Sequence, residues 1–335
     1  MSINSPNVFH SHNNSSQFLF SLSFQNDRPI KIVLISAAVV YLIEFIICNL
    51  FFAQTSTPFF LPPIPTPSTE GTNFLYAHSI TRQYGFFVIQ LALTSLLFGT
   101  NPVLFQNFIR AFAAVRFTMV VLGVYALVIS SISLMHFLPV LIWEAGVAVL
   151  LLILCPSQKN NFSHETERLA LKVQQVAFGI KLAPHFQHIA LRVLCAIAGV
   201  LWILWALGST IFWEVGVANI SSDKTAEMNL VAAMRLNSIV RCEQGVMLFG
   251  IGLLTLLTSQ FPVFHRQMLV FIMAQQVINA LSAAVELAFG TILFPQFLLV
   301  ASVQVITFIL FFLLYPRLHT LNGLEADVKT TQPQL

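Results

Sequence analysis

Three groups of polar side chains stand inside stretches that are otherwise apolar. Any chemistry this chain performs should lie among them, because an ionisable group at membrane depth is costly to keep. Glu44 sits in the first apolar run, on a helical stripe with Ala37, Tyr41 and Cys48. Arg116 and Glu144 sit in two later runs. Gln275, Asn279, Ser282 and Glu286 follow one another at spacings of 4, 3 and 4, which puts all four on one face of a helix. Desolvated carboxyl groups hold their protons more tightly and can act as general acids, so Glu44, Glu144 and Glu286 are the candidate catalytic residues for acid–base work on an apolar substrate. The competing reading of Arg116 and Glu144 is a buried structural pair. For the face Gln275, Asn279, Ser282 and Glu286 it is either a ligand-binding cavity wall or a seam against other helices.

The elements that must position these residues are membrane helices. The chain of 335 residues is 57% hydrophobic and only 9% charged, far below an ordinary soluble domain. The order is legible from prolines and apolar runs. A Ser- and Asn-rich tail (1–30) is read as disordered. The first helix starts near Ile32 and ends near Phe52, which places Glu44 about 18 Å from its start. A proline-rich loop follows, then helices from Ser79, after Pro102, and after a short turn near His136, the last closed by Cys155-Pro156. The plan then recurs, with helices from Ile189, Ile239, Pro262 and Leu293, and a stop at Pro316.

The recurrence has a constant offset of 160 residues: Gly85 matches Gly245, Pro102 matches Pro262 and Pro156 matches Pro316. Small residues repeat every seventh position in each copy (Gly85, Ala92, Gly99; Gly245, Gly252, Ser259), giving a face on which another helix can pack closely in lipid. Gln276 and Gln304 stand at the positions equivalent to Arg116 and Glu144, a neutral pair in place of a charged one. The expected fold is therefore all-α: a polytopic membrane protein with eight transmembrane helices in two parallel four-helix repeats, 31–157 and 189–317. Between them, residues 158–188 form a charged cytoplasmic linker. There Leu169, Val173, Val176 and Ile180, at 4, 3 and 4 spacing, predict an amphipathic surface helix. Residues 318–335 form a second tail.

Basic residues set the orientation. One side of the membrane holds only Arg82, Lys224, Arg235 and Arg241, whereas the tails, the linker and the adjoining turns carry the rest apart from Arg116. Both termini are expected in the cytoplasm, with loops 54–78 and 214–238 on the opposite face. Of the glycosylation sequons, only Asn219 then meets a glycosylating compartment.

Several functions have no support. The net charge of +3 is too small and too scattered for a nucleic-acid partner. The four cysteines contain no C-x-x-C pair, and there is no P-loop, H-E-x-x-H or G-x-S-x-G motif. No cofactor is expected. His185 and His188 are read as interfacial polar residues and not as a metal site, since no second ligand pair stands nearby in sequence.

Arg82, Tyr84 and Gly85 at the head of the second helix give each unit a likeness to a known group. It resembles the small DoxX-like four-helix membrane domains of unknown function, here in two tandem copies. The resemblance implies a helical bundle and no particular activity. The leading expectation is a non-enzymatic scaffold or accessory protein, embedded in the lipid bilayer, with a lipophilic small molecule between its halves or a membrane protein as partner. One alternative is an intramembrane acid–base enzyme acting on an isoprenoid-type substrate, by analogy with membrane terpene cyclases. The other is a small-solute transporter.

Overall fold

In a computed structural model, residues 27–47, 49, 71–129, 134–156, 163–210 and 238–318 are described. Asn219 lies outside them, as do residues 1–26 and 319–335 of the tails and most of the loops around 54–78 and 214–238; residues 28–30 of the expected tail and 71–78 of the expected loop are helical.

Eight long helices appear among the described residues. They are α1 (Arg28–Ile46), α2 (Gly71–Thr100), α3 (Gln106–Ile129), α4 (Leu134–Leu154), α5 (Pro184–Thr210), α6 (Ser238–Thr258), α7 (Arg266–Ala288) and α8 (Phe294–Leu314). Proline stands in the first turn of α1, α5 and α8, where its missing N–H would have had no helical partner. α1 starts four residues earlier than Ile32. This moves Glu44 to ~24 Å along the helix, past the middle of a bilayer core. His136 is inside α4 and does not mark a turn.

Five of these helices contain segments long and apolar enough to cross a membrane: Arg28–Ile46, Arg82–Thr100, Pro184–Gly208, Arg266–Ala288 and Phe294–Leu314. Their outward faces are apolar, as Leu299 at 70% exposure and Phe312 at 63% illustrate. Lipid is the solvent that accepts such a surface. The chain is an integral, multi-pass helical membrane protein.

Packing follows a regular scheme. α1 lies on α2 as α5 lies on α6, α3 on α4 as α7 on α8, and α1 on α4 as α5 on α8. Across the middle, α2 packs on α7, α3 on α6, and α2 meets α6. The main core draws on both halves of the chain, joining Leu34, Val88, Phe112 and Leu151 to Met247, Leu254 and Met268. Small residues decide the closest approach. A Cβ added to Gly252 of α6 would stand 2.8 Å from the Gly199 carbonyl oxygen of α5, and one added to Gly199 would stand 2.9 Å from that of Gly252. Only glycine fits on either side of that crossing.

The linker departs from the expected amphipathic helix. Its helix covers only His164–Ala170 and is followed by a two-stranded hairpin, β1 (Gln174–Gln175) against β2 (Lys181–Leu182). The 4, 3, 4 spacing does not make a buried stripe: Leu169, Val173 and Ile180 are 72%, 61% and 59% exposed. Gly179 supplies the left-handed backbone (φ 73°) that turns the hairpin. Polar residues decide the outcome here. The Gln174 amide donates to the Leu313 carbonyl at 2.7 Å, and the Gln187 amide to the Leu314 carbonyl at 3.0 Å, so the linker caps the open end of α8. Gln187 also donates to Gln174 Oε1 at 2.6 Å, which ties the two caps together.

Candidate functional site

Each of the three membrane-depth carboxylates meets a partner on another helix. Glu44 Oε1 accepts from the Tyr84 hydroxyl at 2.9 Å. Glu144 forms an ion pair with Arg116 and accepts a long contact, 3.5 Å, from the Tyr41 hydroxyl. The Arg116 guanidinium is 1% exposed and lies between two rings, 4.5 Å from the centre of Tyr41 and 4.7 Å from that of Phe112. The rings satisfy its faces, while its Nε and Nη2 have no acceptor among the described residues. Arg116 and Glu144, noted as a pair in sequence, are thus brought together between α3 and α4.

Their counterparts in the second half behave differently. Gln276 donates to the Ile272 carbonyl of its own helix at 3.2 Å, and Gln304 Oε1 has no partner among the described residues. The two amides do not bond to each other. A neutral amide can turn back onto its helix at little cost; a guanidinium cannot be left alone in this way.

The polar face of α7 is a seam against α2. Glu286 binds Arg82 through both oxygens, at 3.0 and 3.1 Å, with 2% and 3% side-chain exposure. Arg82 also lies over the Phe289 ring at 4.1 Å, and the Thr291 hydroxyl donates to Glu286. Further along the seam, Gln90 Nε2 donates to Asn279 Oδ1 at 3.0 Å. Gln275 is fully buried, and neither end of its amide has a partner among the described residues. Ser282, half-buried, does not join these bonds. The seam is therefore polar along its length and carries spare hydrogen-bonding capacity near Gln275, Gln90 Oε1 and Asn279 Nδ2.

A second polar cluster lies where the linker meets the turn before α7. Glu167 is fully buried; its Oε1 accepts from the backbone N–H of Val263 at 2.9 Å and of Phe264 at 3.0 Å. Its Oε2 stands 2.8 Å from His188 Nε2 and 3.7 Å from His164 Nδ1. Burial pushes the Glu167 carboxyl above its ordinary value, while the two amides and His164 pull it back. The turn itself explains the need for Glu167. In the first half Asn101 caps the equivalent turn with its own side chain, Oδ1 accepting from Leu104 N–H at 3.1 Å. Phe261 stands at the matching position and has no acceptor to offer, so a carboxylate from the linker takes over.

Two of these contacts escape sequence reasoning. Arg82, at the head of the second helix, reads as one of the few cations on its side of the membrane, although its place near the end of the bundle shared with Glu286 was a usable signal. His188 reads as a partner of His185. In the structure His185 is exposed, and the neighbours of His188 are Glu167 and His164, more than twenty positions earlier. Comparison of the chain with protein-family models, curated proteins and solved structures finds no match in any of the three.

Proposed function

We propose that this chain is a non-enzymatic scaffold or accessory subunit of a membrane assembly. It would be built from two parallel four-helix repeats with eight spans and both termini in the cytoplasm. One observation carries the functional part. Glu44, Glu144 and Glu286 are each engaged by a side chain on another helix, which favours a role in holding the bundle together. The matched packing of α1–α2 with α5–α6, and of α3–α4 with α7–α8, supports the duplication. A lipophilic ligand between the halves would have to displace the Gln90–Asn279 contact, so the outer apolar faces are the more natural place for a partner.

Topology is tested with reporters fused after Asn161 and Asn219, which should give opposite signals. The same signal from both sites would mean that the span count is wrong.

The second reading, an intramembrane acid–base enzyme, rests on Glu44. Among the described residues its carboxylate has a single neutral partner, Tyr84, and no cation. Glu44→Gln separates the two readings. As a packing residue, Gln keeps the shape and still accepts from Tyr84. Folded yield and complementation of a deletion strain should then stay within about twofold of wild type, a loss below roughly 0.5 kcal/mol. A variant that folds normally yet fails to complement would replace the scaffold reading with the enzymatic one.

A further inference from the structure

We propose that His164, Glu167 and His188 form a binding site for one divalent transition-metal ion of the zinc type, which locks the linker to the turn before α7. One ligand atom from each residue lies within 4.8 Å of the other two. Ligands that each stand about 2.0–2.2 Å from a tetrahedral zinc ion lie roughly 3.4 Å apart. The separations of 2.8 Å (His188 to Glu167) and 3.7 Å (His164 to Glu167) bracket that value. Small side-chain rotations would admit the ion, which would replace the proton now shared by His188 and Glu167.

The surroundings fit a metal centre in three further respects. First, Glu167 is oriented by groups outside the donor set. Its Oε1 is held by the amides of Val263 and Phe264, leaving Oε2 to face the two imidazoles, an arrangement that outer-shell hydrogen bonds commonly impose on a ligating carboxylate. Second, His164 Nδ1, which faces Glu167 Oε2, is a buried atom without a hydrogen-bond partner among the described residues, and His188, whose Nε2 faces the same oxygen, is itself fully buried. The His164 ring stacks on Phe261, 4.9 Å between ring centres, and presents its Nδ1 to the same oxygen that faces His188. Third, the His164 side chain is 41% exposed although its facing nitrogen is buried, so an ion would enter past this ring, and a water carried with it would complete the coordination. Two imidazoles and one carboxylate suit zinc and its neighbours better than calcium or magnesium. Arg168 and Arg192 act electrostatically on His188, so the site is expected to hold a dication less tightly than a closed four-ligand structural zinc site does.

The test uses untagged full-length protein in detergent, stripped with a chelator and titrated with zinc chloride against a chromophoric competitor. Cobalt(II) serves as an optical probe of ligand geometry. Wild type should bind one tight equivalent and show the intense visible bands of four-coordinate cobalt. His164→Ala and His188→Ala should each weaken that equivalent by at least ~10-fold and abolish the bands. His185→Ala, an exposed neighbour, should leave both unchanged. If His188→Ala fails to fold, His164→Ala still decides the matter, because that side chain is partly exposed. The absence of a tight equivalent in wild type, or its survival undiminished in His164→Ala, would overturn the proposal.

Discussion

Arg116→Gln should destabilise the folded protein by about 3–5 kcal/mol, and Glu144→Gln by a comparable amount. Each change removes one member of an ion pair whose side chains are 1% and 8% exposed, leaving the other charged in a place without water. Among the described residues no other acceptor bonds to Arg116, whose Nε and Nη2 are unpartnered; the rings of Tyr41 and Phe112 flank its guanidinium. Glu144 fares slightly better, since the Tyr41 hydroxyl can still donate to it. The double change, Arg116→Gln with Glu144→Gln, should recover most of the loss. The second half already carries Gln276 and Gln304 at the equivalent positions without a bond between them. The measurement is thermal unfolding of detergent-solubilised protein, with monodisperse yield as a second readout. A double variant no more stable than the worse single one would mean that the charges are stabilised by something other than each other.

The elements of this fold were largely legible, because the information is local. Apolar runs of about twenty residues, broken at Pro102, Pro156 and Pro262, are strong signals, and the helices start and stop within a few residues of the positions those breaks indicate. The Arg116–Glu144 contact was legible for a related reason. Two charges in consecutive apolar helices, 28 residues apart, have few other places to go. The linker was not legible. Periodicity alone cannot distinguish a helix with one apolar face from a short hairpin whose apolar residues stay exposed. The deciding contacts, Gln174 to Leu313 and Gln187 to Leu314, join residues 139 and 127 positions apart. Glu167 was obscured in a similar way, since the amides it accepts from are 96 and 97 positions away. Its role follows from a residue that is absent from the second half, the asparagine whose place Phe261 takes. Such a substitution shows its consequence only when the turn is seen with its amides turned toward the linker.

Glu286→Gln should have an effect as large as the Arg116 change, but in a different part of the molecule. Arg82 and Glu286 are 204 positions apart and join α2 to α7, so their pair spans the contact between the two halves. It lies ~27 Å along α2 from Thr100, at the end of the bundle opposite the linker. The geometry is the strong form of an ion pair, with two parallel N–H···O bonds, and burial leaves no solvent to take over either charge. Glu286→Gln keeps one acceptor oxygen and the Thr291 neighbour but loses the charge, at an expected cost of about 3–5 kcal/mol. Arg82→Lys tests the fork separately. It retains the cation but cannot bind both oxygens in plane or stack on Phe289, and should cost about 1–2 kcal/mol. Hydrogen exchange locates the damage. In Glu286→Gln, amides of α2 and α7 near the pair should exchange faster while those of α3 and α4 near Arg116 stay protected. Uniformly faster exchange, or unchanged stability in Glu286→Gln, would show that the halves are held by their apolar contacts alone and that this pair is incidental to the seam.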